Sequence, residues 1–189
     1  MDESLRALQL KELDLLKYFQ QVCKDNHIEY YALGGTLLGA VRHKGFIPWD
    51  DDIDVGIPRP DYERLCKILE GLPESSNIKF RSYKNSEDCI RYFGHIEDTT
   101  FKVVRHDKLK AEETFAWIDL FPLDAMPNNG LLRKLKVYQV LLLRAMYRFS
   151  CFDRLVDVNK KGRPLLVTNK VAWREANSLQ YRNLPQKYT

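Results

Sequence analysis

The chain is poor in cysteine and has no long apolar run, and both absences exclude classes of protein. Its 189 residues include four widely spaced cysteines, none in a C-x-x-C pair: Cys23, Cys66, Cys89 and Cys151. A disulfide-stapled secreted domain or a zinc ribbon is therefore not expected, and we predict reduced thiols and a cytoplasmic location. The first residues also lack the apolar segment of a signal peptide. The most apolar stretch, 137–147, contains Gln139 and Arg144 and is far shorter than the ~20 residues that span a bilayer.

Most of the chain also lacks a large excess of positive or negative residues. The formal net charge is +4, but residues 154–189 contain eight Lys and Arg against two Asp and Glu, which leaves about −2 on the rest. A nucleic-acid-binding protein concentrates basic residues on its binding face. We therefore expect no nucleic-acid partner.

The apolar periodicity predicts a mixed α/β domain of the α+β type, with a small mixed sheet flanked by helices. In the first helix we expect Leu8, Leu15 and Phe19 to be buried and Glu12 to face solvent. The predicted helices cover 4–25, 36–42, 60–70 and 131–149. The predicted strands cover 28–33, 52–57, 78–83, 91–97, 101–105 and 115–121. We expect residues 1–150 to form a catalytic domain and residues 151–189 a short basic tail.

A run of carboxylates follows a glycine turn and is the strongest chemical signal in the sequence. Asp50, Asp52 and Asp54 are spaced two residues apart, so in an extended chain their side chains share one face, opposite Asp51. Carboxylates on one face repel each other unless a cation lies between them. The pattern therefore predicts a hard divalent ion, Mg²⁺ or Mn²⁺, although an acidic run is also typical of a solvated loop.

The glycine turn and the basic loop after it indicate phosphate binding. Gly34 and Gly35 permit close approach of a ligand, and a helix starting at Thr36 would present free N–H groups to a phosphate. A plain turn explains the same glycines. The basic residues that follow are predicted to bind phosphates, or else to balance the acidic run: Arg42, His43 and Lys44.

A third carboxylate is needed from another strand, and Asp119 is the candidate because it is a lone acid in an apolar run. A buried acid is usually paired with a cation, so a salt bridge to Arg or Lys is the alternative to a metal ligand. Two ions held by Asp50, Asp52, Asp54 and Asp119 would clamp both oxygens of a phosphoryl displacement. We assign the catalytic roles to Asp52, Asp54 and Asp119, with Asp119 also a candidate general base.

Residues 31–57, from Tyr31 to Ile57, closely resemble the signature of the LicD family, as do Arg59, Asp61 and Tyr62 and the segment 118–124. That family is similar to the DNA polymerase beta-type nucleotidyltransferase superfamily, whose pattern is a glycine turn, a D-x-D strand and a third acid. The resemblance implies a nucleotidyltransferase-like fold. Beyond Pro164 the family pattern is not found, so we expect a C-terminally truncated or diverged member.

The resemblance also implies an activity: transfer of a phosphorylated alcohol from a CDP-activated donor onto a glycan. Phosphocholine transfer from CDP-choline to teichoic acid or lipopolysaccharide is the best-known case, and fukutin-related members transfer ribitol phosphate. The alternatives are a nucleotidyltransferase acting on a small hydroxylated acceptor and a catalytically silent fragment. The basic, apolar helix 131–149 predicts either core packing or peripheral contact with the inner membrane face, where a lipid-linked acceptor would lie.

Overall fold

A computed structural model of the chain describes residues 3–86, 91–105 and 112–150. The chain divides into two compact units, Met1–Leu123 and Asp124–Thr189, which are described separately below. The predicted tail, 151–189, lies outside the described residues. The predicted boundary at residue 150 therefore stays a prediction.

Nine elements are present in the described part of the chain, and they confirm the predicted α+β class. In order they are α1 (Glu3–Asp25), β1 (Tyr31–Ala32), α2 (Gly34–Arg42), β2 (Asp54–Pro58), α3 (Arg59–Glu70), β3 (Ile78–Arg81), β4 (Gly94–Arg105), β5 (Glu112–Leu123) and α4 (Gly130–Ser150). Several predicted bounds need correction. The strand predicted over 28–33 covers only Tyr31–Ala32, and the helix predicted from Thr36 begins at Gly34. The strands predicted at 91–97 and 101–105 are one strand, β4, whose register shifts between Asp98 and Lys102. The second strand begins at Asp54 rather than at Asp52.

The five strands form one mixed sheet in the order β1-β2-β5-β4-β3. β2 and β5 run parallel, while the other three neighbouring pairs are antiparallel. The last strand of the described residues, β5, therefore lies at the centre of the sheet. This arrangement sets Asp54 at the start of β2 directly beside Asp119 in β5.

One face of the sheet is apolar and carries the core. Its side chains come from all of β2, β3, β4 and β5, and they are at most 7% exposed: Val55, Ile57, Phe80, Ile96, Ile118 and Leu120. The core cluster also includes residues of α1 and α3, so both helices contribute to its cover. Because side chains alternate along a strand, the residues between these core positions lie on the opposite face.

Helix α1 contributes a buried stripe that the sequence pattern predicts only in part. Leu15, Phe19 and Cys23 are buried at the expected helical spacing. Glu12, which was expected to face solvent, is fully buried, and Gln9 is only 1% exposed. The prediction for Glu12 was wrong because charge alone decided it, whereas its position four residues after Leu8 lies on the buried side.

The two described cysteines agree with the expectation of reduced thiols. Cys23 and Cys66 are free and buried. Burial raises the pKa of both thiols to about 12, so neither is a reactive thiolate at neutral pH. Cys89 and Cys151 lie outside the described residues.

The described part of the second unit is dominated by α4. The helix is capped by Asn129, whose side-chain oxygen accepts hydrogen bonds from the backbone N–H groups of Leu131 and Leu132. Several apolar side chains along α4 are exposed: Leu131, Leu135, Tyr138, Leu142 and Phe149. Among the helices described, none is both long enough and apolar enough to cross a bilayer.

Candidate functional site

A row of ionisable side chains crosses the polar face of the sheet. Asp54 in β2 is the register partner of Asp119 in β5, which in turn pairs with His95 in β4. His95 pairs with Arg81 in β3. Residues paired in this way share one face, and neighbouring strands lie about 4.8 Å apart. The row places two carboxylates next to each other at its β2 end.

Asp119 lies at the centre of this row and is only 8% exposed. Its backbone N–H donates to the Ile53 carbonyl at 2.9 Å. Its side-chain oxygen Oδ1 accepts a hydrogen bond from Arg91 at 2.5 Å. Burial raises the pKa of Asp119, although the positive charge of Arg91 opposes the shift. The carboxylate is therefore largely desolvated and needs a cationic partner.

Asp54 is the second carboxylate of the pair, and its surroundings disfavour its charge. Burial, followed by the charges of Asp52 and Asp50, raises its pKa to about 6. Its backbone N–H donates to the Thr36 hydroxyl at 2.8 Å, and the Leu33 N–H donates to its carbonyl at 3.0 Å. Thr36, predicted to bind substrate, thus ties α2 to the start of β2.

The acidic loop before β2 brings three further carboxylates together. One side-chain oxygen from each of Asp50, Asp51 and Asp52 lies within 4.8 Å of the others. Burial and the charge of Asp51 raise the pKa of Asp50. Since β2 begins at Asp54, strand alternation does not order this segment. The expected separation of Asp51 from Asp50 and Asp52 was therefore wrong, because all three carboxylates lie in one cluster.

The glycine turn lies against these carboxylates. Gly34 has a positive φ of 48°, and a Cβ atom added there would lie 3.4 Å from the Asp54 carboxylate. A Cβ at Gly35 would overlap the carboxylate of Asp50. Helix α2 starts at Gly34, and no side chain caps its N-terminus. The two glycines thus allow the acidic side chains and the first turn of a helix to approach closely.

A cleft of about 540 Å³ adjoins this turn, and it takes in part of the predicted basic triplet. Its lining includes Gly35, Thr36 and Asp50 together with Lys44, which has a positive φ of 58°. Arg42 and His43 are exposed and are not among its lining residues in the described part of the chain. The structure therefore brings Lys44, but not the other two, beside the predicted phosphate site.

Three residues of the site were not assigned from sequence. Gln9 in α1 donates from its side-chain amide to the carbonyls of Ile47 and Asp50 at 3.3 and 2.9 Å, which anchors the acidic loop. Arg91 pairs with Asp119, and His95 lies beside it. A glutamine on the buried side of α1 was a readable signal for the first. Nothing in the local sequence indicated the other two, because their partner lies on another strand.

These features fit a hard divalent cation. Asp50, Asp54 and Asp119 all have raised pKa values, with burial as the largest cause. A cation with oxygen ligands would compensate this clustered charge, and Mg²⁺ binds in this way together with substrate phosphates. Asp54 and Asp119 would hold the ion from adjacent strands, with Asp50 and Asp52 reaching it from the loop.

The site therefore defines an α+β domain with carboxylates gathered beside a glycine turn, an arrangement that suits a divalent ion together with a phosphate group. The family described as LicD/FKTN/FKRP, nucleotidyltransferase domain, matches residues 27–140, more than half of the chain. The chain therefore belongs to this family, as the resemblance of its glycine turn and acidic run predicted.

Three relatives match about two thirds of the chain. Over 128 residues the chain is 36% identical to the lipopolysaccharide cholinephosphotransferase LicD of Haemophilus influenzae, covering 67% of this chain and 46% of the relative. It is 31% identical over 130 residues to the human ribitol 5-phosphate transferase FKRP, covering 69% of this chain and 22% of the relative. A Rickettsia typhi protein, RT0683, is 34% identical over 125 residues, or 62% of this chain and 38% of that protein. The chain spans less than half the length of each.

Proposed function

We propose that the protein is a divalent-metal-dependent transferase that moves a phosphorylated alcohol from a CDP-activated donor to a glycan hydroxyl. Phosphocholine from CDP-choline is the preferred donor group, and lipopolysaccharide or teichoic acid the preferred acceptor class. The family membership supports phosphoryl transfer. The two relatives are named for cholinephosphate and ribitol 5-phosphate transfer, which supports an alcohol phosphate as the transferred group.

The observation that carries the proposal is the pairing of Asp54 with Asp119 next to the glycine turn. Carboxylates that are desolvated and close together bind a divalent ion readily, and such an ion neutralises charge on a diphosphate. Asp50, Asp52, Asp54 and Asp119 are the proposed metal ligands. Gly34, Gly35 and Thr36 would hold the diphosphate beside them, with Lys44 at the edge of the cleft.

In the proposed reaction an acceptor hydroxyl attacks the phosphorus of the phosphocholine group. The bond from that phosphorus to the CMP oxygen breaks, and CMP leaves with the bonding electron pair. The hydroxyl proton passes to a carboxylate, for which Asp119 is the proposed acceptor. Positioning of the two oxygens in line would supply much of the rate, and the glycine turn with its carboxylates is the proposed source of that positioning.

The test is release of CMP from CDP-choline, with and without Mg²⁺, in the presence of lipopolysaccharide or teichoic acid. We expect release that depends on both the ion and the acceptor and that is lost in Asp54→Asn. Asp98→Asn is the matched control, because Asp98 pairs with Lys11 of α1 at 2.9 Å and is not part of the carboxylate pair. Absence of CMP release in the presence of Mg²⁺ with both lipopolysaccharide and teichoic acid would refute this assignment.

A second candidate is transfer of a nucleotide from CTP to a small hydroxylated acceptor, because the same carboxylates serve either side of a diphosphate. Incubation with CTP in place of CDP-choline distinguishes them by pyrophosphate release. Mg²⁺-dependent binding of CDP-choline by calorimetry, with neither product formed, would identify a silent binding protein instead.

Peripheral contact with a membrane surface is a further part of the proposal. Helix α4 exposes an apolar stripe that includes Leu135, Tyr138 and Leu142, and its 21 residues contain five Lys and Arg but no Asp or Glu. This combination favours binding to anionic lipid. Sedimentation with phosphatidylglycerol vesicles at low salt, but not with phosphatidylcholine vesicles, is the expected result. Equal recovery with both would contradict it.

A further inference from the structure

Arg91 forms an ion pair with Asp119 in the carboxylate site and lies near two aromatic rings. Its guanidinium donates to Asp119 at 2.5 Å, and its Cζ lies 5.2 Å from the ring centre of Trp117 and 5.9 Å from that of Phe93. The side chain is 33% exposed, whereas that of Asp119 is 12% exposed. A charge pair of this kind keeps a mostly buried carboxylate ionised when no other cation is present.

We infer that Arg91 is a positioning residue that competes with the divalent ion for Asp119 and is exchanged for that ion when it binds. This inference rests on the proposed metal site, and it adds a residue that the proposed function does not use. The pair holds Asp119 charged and oriented before loading. The pair also raises the ion concentration needed to fill the site, because the ion must displace a bound guanidinium.

Charge decides the direction of the exchange. Asp54 is the register partner of Asp119. Burial and then the charges of Asp52 and Asp50 raise its pKa, and the charge of Arg91 opposes that rise. A divalent ion would interact with several of these carboxylates at once, and it carries twice the charge of Arg91. The ion therefore displaces Arg91 from Asp119 when its concentration is high enough. Removing Arg91 lowers the ion concentration at which the site is filled.

After displacement the guanidinium would still be close to the rings of Trp117 and Phe93. Arginine binds phosphate oxygens through two parallel N–H groups, and aromatic faces support its charge. Arg91 is then placed to contact an anionic group of the substrate. The expected ligand of the freed guanidinium is a phosphate of the donor diphosphate.

The experiment is a titration of the folded protein with Mn²⁺ at pH 8, with free Mn²⁺ measured by electron paramagnetic resonance. We expect Arg91→Met to bind Mn²⁺ about tenfold more tightly than wild type. Methionine keeps an apolar stem against Trp117 and Phe93. Arg91→Lys keeps a charge with fewer donors, and it should fall between the two and serves as the readout if Arg91→Met does not fold.

Arg81→Met is the matched control. Arg81 lies in the same register row but two strands from Asp119, and it pairs with Glu97 at 2.8 Å. Loss of a positive charge at this position should change Mn²⁺ affinity by about twofold or less because of distance and screening. An equal gain in Arg81→Met and Arg91→Met would show a general charge effect and overturn the inference.

A double-mutant cycle tests whether Arg91 acts through Asp119. In an Asp119→Asn background the gain from Arg91→Met should disappear, because the competed ligand is gone. A gain that persists there, or an Arg91→Met affinity equal to or weaker than wild type, overturns the inference. These readouts need no donor or acceptor, so a failed transferase assay leaves them interpretable. Weaker CDP-choline binding by Mn²⁺-loaded Arg91→Met than by the Mn²⁺-loaded wild type would support the contact between Arg91 and a phosphate of the donor.

Discussion

The two faces of the central sheet are built from the same strands but have opposite properties. On one face Ile57, Ile118 and Leu120 are 0% exposed and belong to the core. On the other, Asp54 and Asp119 lie side by side with raised pKa values. Adjacent residues of β5 thus serve separate purposes, since Leu120 stabilises the fold while Asp119 is held in an environment that disfavours its charge. The comparison predicts that stability and activity can be damaged independently.

The largest expected effect comes from Asp119→Asn. The change removes a proposed metal ligand, so transfer activity should fall by about 10³-fold, or ~4 kcal/mol of transition-state stabilisation. Stability should change by about 1 kcal/mol or less, because Arg91 is partly exposed and its ion pair is partly solvated. CMP release and urea unfolding measure the two quantities. A normal rate would exclude Asp119 from the chemistry.

Leu120→Ala, one residue further along β5, should show the reverse pattern. The side chain is fully buried, so its truncation leaves a cavity and lowers the free energy of unfolding by about 3 kcal/mol. Activity per folded molecule should stay within about twofold of wild type. Urea unfolding and an assay at low temperature test this. A large loss of activity in the fully folded variant would show that the faces are coupled.

A smaller effect is expected at the glycine turn. In Gly35→Ala the added methyl group overlaps the carboxylate of Asp50, which must move, and Mn²⁺ affinity should fall by about tenfold. Gly45→Ala is the control, because a Cβ atom there has no neighbour within 4 Å. Mn²⁺ titration of both variants gives the comparison. Equal affinities would mean that Asp50 is not a ligand.

The smallest effect concerns the pH dependence of the metal-free protein. Because the folded-state pKa of Asp54 is raised to about 6, the folded state binds protons more tightly than the unfolded state does. Stability should therefore decrease as pH rises from about 4 to 6 and stay lower above that range. Asp54→Asn should show a flatter profile and higher stability at pH 8. The measurement is the urea midpoint of each protein at pH 5 and at pH 8 without metal. The same change in midpoint between the two pH values in wild type and Asp54→Asn would contradict the prediction.

The sequence predicted most of the fold because its signals were local. The apolar period placed α1 and α4 within a residue or two, and β-favouring residues located β2 and β5. The bound at Asp54 was missed because the strand starts where its pairing with β5 starts, and pairing is not a local property. The burial of Glu12 was missed because the spacing argument was overruled by charge.

The candidate site was predicted in part. Asp54, Asp119 and the glycine turn were assigned from residue type and spacing, and the structure brings them together. Their roles as ligands stay predictions. Arg91 and His95 were not assigned because each meets Asp119 only through the order of strands in the sheet. The place of Gln9 on the buried side of α1 was a readable signal, but the sequence did not indicate its partners, the carbonyls of Ile47 and Asp50 far along the chain.

The central position of β5 has a consequence for how the molecule matures. Asp54 leaves the ribosome long before Asp119, and β2 gains its parallel neighbour only when the final strand inserts between β2 and β4. Such distant pairings form slowly compared with local ones. A nascent chain ending before β5 would carry the acidic loop and Asp54 without Asp119, so the carboxylate pair of the proposed site would form only after β5 has joined the sheet.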